Sequence, residues 1–132
     1  MEVSLAVLAD YSNVSKEGKL NILGIFDIIR ARNFPAIHHN MQLVITFEAP
    51  RTEVNTEKSI QVKLIDSDGK LILEIGSQFI VPKNAPGEMT VKSNHVLNLN
   101  DLLFEKPGDY AFSILINSEE KKSVPLKLVQ IE

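Results

Sequence analysis

The chain has 132 residues, of which 44% are hydrophobic and 23% charged, and its formal net charge is −3. This length suits one domain whose core forms without metals or disulfides. The composition excludes global disorder and collagen-like or coiled-coil chains. Because Lys and Arg are not clustered, it also argues against a nucleic-acid partner. We therefore expect a single domain over residues 1–132. The strand pattern described below predicts that this domain is a β-sandwich.

The absence of cysteine excludes disulfides, thiolate metal sites and cysteine nucleophiles, and it is compatible with a reducing compartment. The apolar run Val3–Ala9 follows Glu2 instead of a basic segment, and no small-residue cleavage site comes after it. We interpret this run as a strand. No segment approaches the roughly 18 consecutive apolar residues of a membrane helix. The sequence thus predicts a cytoplasmic protein that does not bind a membrane.

Alternation of apolar and polar residues with a period of two dominates the chain, and turn residues interrupt it about every ten to fifteen positions. Helical periodicity is almost absent. The predicted strands are Val3–Tyr11, Lys19–Ile29, Met41–Ala49, Glu57–Asp66, Leu71–Val81, Met89–Leu99, Tyr110–Ile116 and Val124–Leu128. In the third strand, Met41, Leu43, Ile45 and Phe47 should face the core, while the opposite face should be solvated.

Several residues predict local irregularities. The segment Ser67–Lys70 has the composition of a tight hairpin turn in which Gly69 takes a positive φ. Gly76 lies in the middle of a strand and suggests a bulge or bend. Pro125 cannot donate a backbone hydrogen bond, so it should lie at a sheet edge or a bulge. Residues 100–104 could form a short helical turn that closes one end of the fold.

Eight short strands without a strand–helix–strand rhythm predict an all-β, antiparallel two-sheet β-sandwich of about eight strands. A closed barrel is the alternative architecture. The segment Pro107–Tyr110, followed by alternating apolar residues, is similar to the penultimate strand of immunoglobulin-like sandwiches. By that similarity, Tyr110 should make a corner hydrogen bond to nearby backbone, although the paired cysteines and core Trp of those domains are absent.

The predicted second strand departs from the alternation because both of its faces are apolar. Gly24 could carry a bulge that resets the register, or the strand could be central and partly covered by a loop. The other hypothesis is that Leu23, Ile25 and Ile29 form an exposed apolar patch that pairs with a second subunit or another protein.

Residues 30–40 form the longest stretch without strand alternation, and they include Arg32, Phe34, His38 and His39. Phe34 and Pro35, with Ile37, could fold back as a plug over the sandwich edge. The alternative is a ligand- or partner-binding loop, since functional residues are often placed on loops of a rigid scaffold.

No arrangement of residues indicates catalysis, metal binding or a cofactor. His38 and His39 are adjacent, so in an extended segment they point to opposite sides and cannot readily share an ion. Asp66 and Asp68 have no second acidic cluster with which to supply the six to eight oxygens of a calcium site. His95 is expected to be a hydrogen-bonded, partly buried histidine. No nucleophile elbow, phosphate-binding glycine loop or dinucleotide fingerprint is present.

Several segments together resemble a family of small, uncharacterised bacterial proteins known only as a domain of unknown function. The segments are Leu8–Asp10, Gly18–Asp27, Phe34–His38, Asp66–Gly69, Phe104–Tyr110 and Ser123–Leu126. The resemblance spans nearly the whole chain and implies a bacterial, cytoplasmic origin and an immunoglobulin-like or C2-like sandwich. It implies no activity, and no functional residue is carried over from it.

Three classes of function are compatible with the sequence, and an enzyme is the least favoured of them. The first is a non-enzymatic protein-interaction or scaffold module that uses a strand edge or the 30–40 segment to bind a protein partner or a second copy. The second is a small-ligand or carbohydrate-binding sandwich, which the lack of Trp disfavours. The predicted partner-binding residues are Leu23, Ile25, Ile29, Arg32, Phe34, His38 and His39.

Overall fold

A computed structural model describes residues 1–132, which form nine strands and one short 3-10 turn at Arg51–Glu53. The strands are β1 (Glu2–Val14), β2 (Leu20–Phe26), β3 (Ile28–Ala31), β4 (Ala36–Pro50), β5 (Glu57–Ile65), β6 (Leu71–Ile80), β7 (Thr90–Phe104), β8 (Gly108–Ile116) and β9 (Glu119–Gln130). No helix in the fold is long and apolar enough to cross a lipid bilayer.

The strands form two open sheets packed against each other. The first sheet has the order β2-β1-β4-β7 and the second has the order β3-β9-β8-β5-β6. All neighbouring strands are antiparallel except β3 and β9, which are parallel. The predicted all-β, two-sheet sandwich is therefore confirmed, and the closed barrel is not formed.

The hydrophobic core lies between the two sheets. The first sheet contributes Met41, Leu43, Ile45 and Phe47 of β4, which are all buried as the alternation predicts. Alternate residues of β8 on the facing sheet, including Phe112, pack against the same core. Removal of these apolar side chains from water is the main favourable contribution to folding, at about 25 cal/mol per Å².

The predicted strand Lys19–Ile29 is wrong as a single strand, because the chain passes from one sheet to the other at Asp27. The register of β2 against β1 stays constant on both sides of Gly24, so the bulge interpretation is also wrong. Apolar residues occur at both odd and even positions because the first part of the segment, β2, belongs to the first sheet and the last part, β3, belongs to the second. Phe26 packs on the core from the first sheet and Ile29 from the second.

The long loop expected at residues 30–40 is shorter than predicted. Strand β3 reaches Ala31 and β4 begins at Ala36, so only residues 32–35 connect them. Phe34 packs against the core, which agrees with the plug interpretation, but Ile37 is 54% exposed and was wrongly included in the plug. The helical turn predicted at residues 100–104 is wrong for a related reason: the early start of β4 gives β7 a pairing partner as far as Phe104.

The two local predictions about turns are confirmed. In the β5–β6 hairpin the Gly69 amide donates to the Asp66 carbonyl over 3.1 Å, and Gly69 has a φ of +82°. Before β8, the Tyr110 hydroxyl donates to the Lys106 carbonyl over 2.7 Å. Each contact joins residues three or four positions apart, so the local sequence is sufficient to specify it.

Gly76 and Pro125 differ in outcome. Gly76 pairs regularly with Gln61, and the only register shift between β5 and β6 lies elsewhere, so no bulge is present at Gly76. Pro125 pairs with β8 on one side, while β3 begins to pair with β9 only at Lys127. Pro125 therefore lies on a stretch of β9 that is a sheet edge, as its missing N–H predicts.

The hairpin formed by the end of β1 and the start of β2 folds back over the outer face of the first sheet. Strand β1 leaves β4 after Ala9, and the Ser12 hydroxyl then donates to the Gln42 side chain over 2.6 Å. The hairpin tip, Glu17 and Gly18, lines a surface depression together with Lys92, which lies near the start of β7. We call residues 10–24 the hairpin arm.

The hairpin arm explains an error in the predicted environment of β4. The outward-facing Thr46 is expected in contact with water, but only 7% of its surface is exposed, and Val44, the one apolar exception on this face, is 0% exposed. The arm covers this part of the sheet. Burial of an apolar residue on the outer face therefore reflects a covering hairpin and not a second core.

Candidate functional site

The hairpin arm bends at Asp10 and Gly24, which lie between the Ala9–Ile25 and Tyr11–Leu23 pairs of the β1–β2 ladder. Gly24 has a φ of +71°, in the left-handed region that side chains disfavour. A Cβ atom at this position would lie 2.4 Å from the Asp10 Oδ2 atom. The Asp10 carboxylate thus occupies the space that a side chain at residue 24 would need.

A hollow of about 340 Å³ lies next to this bend. Its polar walls are Asp10 of β1, Arg30 of β3 and His38 of β4, and its apolar walls include Ile25, Phe26 and Ile28. We call it the crease hollow. Asp10 and His38 come from the first sheet and Arg30 from the second, so the crossing of the chain at Asp27 brings them together.

The polar groups of the crease hollow have few partners within the protein. Asp10 and Arg30 face the same hollow, but neither takes part in an ion pair. The His38 Nε2 atom is buried and has no hydrogen-bond partner. Most buried polar atoms in proteins are hydrogen-bonded, so this unpartnered nitrogen is an exception.

Burial lowers the pKa of His38 below its ordinary value of 6.5, and the Asp10 carboxylate opposes this effect in part. The imidazole is consequently neutral at neutral pH, with one nitrogen as donor and the other as acceptor. Its ring centroid lies 5.9 Å from that of Phe26 in a tilted arrangement. This contact places the ring against the apolar side of the hollow.

Three large apolar side chains beside the hollow are exposed to solvent. Leu23 and Tyr11 form a cross-strand pair on the hairpin arm, and their exposed fractions are 64% and 51%. Ile25, two residues after Leu23, is 63% exposed. We call these three residues the apolar surface. The segments 11–14 and 20–26 contain no charged residue, and depletion of charge is a feature of interface cores.

The structure separates the predicted partner-binding residues into three kinds of environment. Leu23 and Ile25 are exposed and belong to the apolar surface, and His38 lines the crease hollow nearby. Ile29 is only 9% exposed and packs in the core, so its inclusion in an exposed patch is wrong. The cause is the change of sheet at Asp27, which turns Ile29 inward.

The remaining predicted residues lie outside the crease hollow. Arg32 is exposed in the short loop, where its carbonyl accepts a hydrogen bond from Gln130 over 3.2 Å. Phe34 packs against the core. The His39 Nδ1 atom lies 2.8 Å from an Asp101 oxygen on an exposed face, whereas His38 turns toward Phe26. The prediction that His38 and His39 point to opposite sides is confirmed.

Sequence reasoning missed Asp10, Arg30 and Tyr11. Asp10 and Arg30 are 20 positions apart and lie on strands of different sheets, so no spacing pattern relates them. The one available signal was Gly24 inside a strand pattern, since such a glycine often marks a close approach of another group. That approach is made by the Asp10 carboxylate.

His95 is not part of this site. It lies on β7 and packs against Phe79 of β6 in the other sheet. Its Nε2 atom is 3.1 Å from the Ser93 hydroxyl, which confirms the predicted hydrogen-bonded, partly buried histidine. The ring packs edge-on against Phe47 at 5.1 Å and against Phe79 at 4.9 Å. Burial lowers the pKa of His95 below 6.5.

Comparisons with known proteins place the chain in a family. No curated protein matches the sequence. Among solved structures, the Pseudomonas fluorescens alkylpurine DNA glycosylase AlkC bound to DNA containing an abasic site analog is similar, with a TM-score of 0.44 and 13% identity. The match covers 94% of this chain and 30% of that one, so the chain spans less than a third of its length. A family model described as a family of unknown function, DUF6941, matches residues 4–129, and the chain belongs to this family.

Proposed function

We propose that the protein is a non-enzymatic, cytoplasmic interaction module that binds another protein through the apolar surface, Tyr11, Leu23 and Ile25. The observation that carries the proposal is the exposure of these side chains, each more than half accessible, on two paired segments, 11–14 and 20–26, that contain no charged residue. Covering them with a partner would contribute about 1 kcal/mol or more for each side chain.

The position of β2 supports the same proposal. Strand β2 lies at the edge of the first sheet and pairs only with β1, so one side of its backbone has no neighbouring strand. Edge strands commonly carry Lys or Pro residues that oppose pairing with other chains, and residues 20–26 contain neither. Such an edge is suited to the addition of an extended segment from a partner protein.

The test is an affinity pull-down from the source organism with three forms of the protein as bait. The wild-type protein and a Met89→Lys control should retain the same stoichiometric partner, while Leu23→Lys should lose it. Met89 is a suitable control because it is 71% exposed and lies outside the apolar surface, next to the hairpin tip at Glu17 and Gly18. Equal retention by Leu23→Lys would contradict the proposal.

Light scattering after size-exclusion chromatography distinguishes a second copy from a different partner. Self-association that is lost in Ile25→Lys identifies a second copy of the chain as the bound protein. Recovery of the wild-type protein alone from the pull-down, together with a monomeric mass that Ile25→Lys leaves unchanged, would overturn the proposed function.

A further inference from the structure

The crease hollow contains an acid and a base that do not pair with each other. Asp10 projects from the first sheet and Arg30 from the second, and both line the hollow without forming an ion pair. Their backbones belong to different sheets, and both side chains are exposed to solvent at the hollow. A ligand that carries a positive and a negative group a few atoms apart would satisfy both side chains.

Two further features support the hollow as a binding site. The Asp10 carboxylate lies against Gly24, in space that is free only because residue 24 has no side chain. The orientation of this carboxylate therefore depends on the glycine. The buried His38 Nε2 atom has no partner, and a neutral imidazole nitrogen can accept from an ammonium group or donate to a carboxylate.

The remaining walls determine the size and character of the ligand. Ile25, Phe26 and Ile28 form an apolar side, which would hold an aliphatic group and exclude a purely polar ligand. The volume of about 340 Å³ is at the small end for ligand sites. A single amino acid fits this volume, whereas a folded partner or a polymer does not.

We propose that the crease hollow binds a free α-amino acid with an apolar side chain. Asp10 accepts hydrogen bonds from the ammonium group, Arg30 and His38 contact the carboxylate, and the side chain packs on Phe26 and Ile28. The hollow shares Ile25 with the apolar surface, but its polar groups, Asp10, Arg30 and His38, are not part of that surface, so amino-acid binding is tested on the isolated chain without a protein partner.

The first experiment is an NMR titration of the full chain with three probes: L-leucine, L-leucinamide and N-acetyl-L-leucine. L-Leucine should shift the His38 ring signals and the Gly24 amide signal in a saturable manner. The other two probes each lack one charge and should bind about tenfold more weakly or worse. Absence of shifts with L-leucine, or equal binding of L-leucinamide, would overturn the proposal.

Variants with matched controls test the residue roles. Asp10→Asn and Arg30→Gln should each weaken L-leucine binding about tenfold or more, while Asp27→Asn and Arg32→Gln should bind as the wild type does. Asp27 and Arg32 are exposed neighbours that do not line the hollow. If Asp10→Asn alters the fold, the exposed Arg30 still provides the test, and unchanged binding by Arg30→Gln would refute the assignment.

Discussion

Gly24 is the residue whose identity the surrounding structure restricts most clearly. Its positive φ and the Asp10 carboxylate beside it both disfavour any side chain. By contrast, Gly76 has an ordinary backbone conformation, and its nearest neighbour is a carbonyl oxygen 4.0 Å from the position of a Cβ atom. The two glycines therefore allow the effect of the bend to be separated from the general effect of a glycine in a strand.

We expect Gly24→Ala to lower the free energy of unfolding by at least about 1–2 kcal/mol, because the left-handed conformation is unfavourable for a residue with a Cβ atom and the new methyl group also displaces the Asp10 carboxylate. Gly76→Ala should change it by about 0.5 kcal/mol or less. Urea unfolding followed by circular dichroism measures both values. The double variant Asp10→Ala/Gly24→Ala should recover the part due to the carboxylate, and a neutral Gly24→Ala would show that the bend is not constrained in this way.

Tyr110 provides a second test at the residue scale. Its hydroxyl is bonded to the Lys106 carbonyl, and only 5% of the residue is exposed. Tyr110→Phe should lower the free energy of unfolding by about 1 kcal/mol because one hydrogen bond at a partly buried site is lost. Tyr11→Phe is the matched control, since Tyr11 is half exposed and its hydroxyl has no partner. The comparison fails if both variants unfold alike.

The hairpin arm is the element whose position most affects the candidate site. On its covered side, the Ser12 hydroxyl donates to Gln42 of β4, and Gln42 in turn donates to Asn98 of β7 within the sheet over 2.9 Å. Its solvent side carries the apolar pair Tyr11 and Leu23. The arm is thus joined to the sheet by a hydrogen bond on the covered side and offers apolar contacts on the exposed side.

We expect Gln42→Ala to loosen the hairpin arm, because it removes the hydrogen bond from Ser12 to the sheet and the Asn98 contact that orients Gln42. Hydrogen exchange followed by mass spectrometry should show faster exchange for residues 12–22, with little change in β8. Asn21→Ala is the control, since Asn21 bonds only to Asn13 within the arm. Unchanged exchange in the arm of Gln42→Ala would mean that other contacts hold it against the sheet.

The two sheets of the whole molecule are joined around His95. This residue lies on β7 of the first sheet and packs between Phe47 of the same sheet and Phe79 of the second. His38 is also partly buried, at the crease between the sheets. Because burial lowers the pKa of both histidines, folding favours their neutral forms.

The stability of the protein should therefore fall as the pH decreases below about 6.5. The unfolded chain takes up protons near 6.5, whereas the folded histidines resist protonation until a lower pH, so the stabilisation is present above 6.5 and is lost below it. Unfolding free energies at about pH 7.5 and about pH 5.5 measure the effect above the range of the carboxylates.

Variants at the two histidines assign this pH dependence. His95→Gln should reduce the difference between the two pH values, and His38→Gln/His95→Gln should remove most of it. The slope with pH is compared, so a change in absolute stability caused by repacking does not affect the result. A wild-type protein equally stable at both pH values would contradict the role of burial.

Local interactions made much of the fold predictable. The alternation of Met41, Leu43, Ile45 and Phe47 identified a core-facing strand, because a period of two assigns successive residues to opposite faces. The turn at Gly69 and the corner contact of Tyr110 involve residues within four positions of each other. Each of these features depends on chemistry contained in a short segment.

The sequence by itself thus determined an all-β, two-sheet sandwich and most of its strands, while the tertiary structure decided which surface covers each apolar face. Residues 19–29 are apolar on both parities because they enter two sheets, and Val44 is buried because the hairpin arm folds back over it. The alternation of apolar and polar residues indicates which side chains are buried, but it does not indicate which part of the protein covers them. For the same reason, the meeting of Asp10 with Arg30 could not be predicted, since it depends on two strands from different sheets.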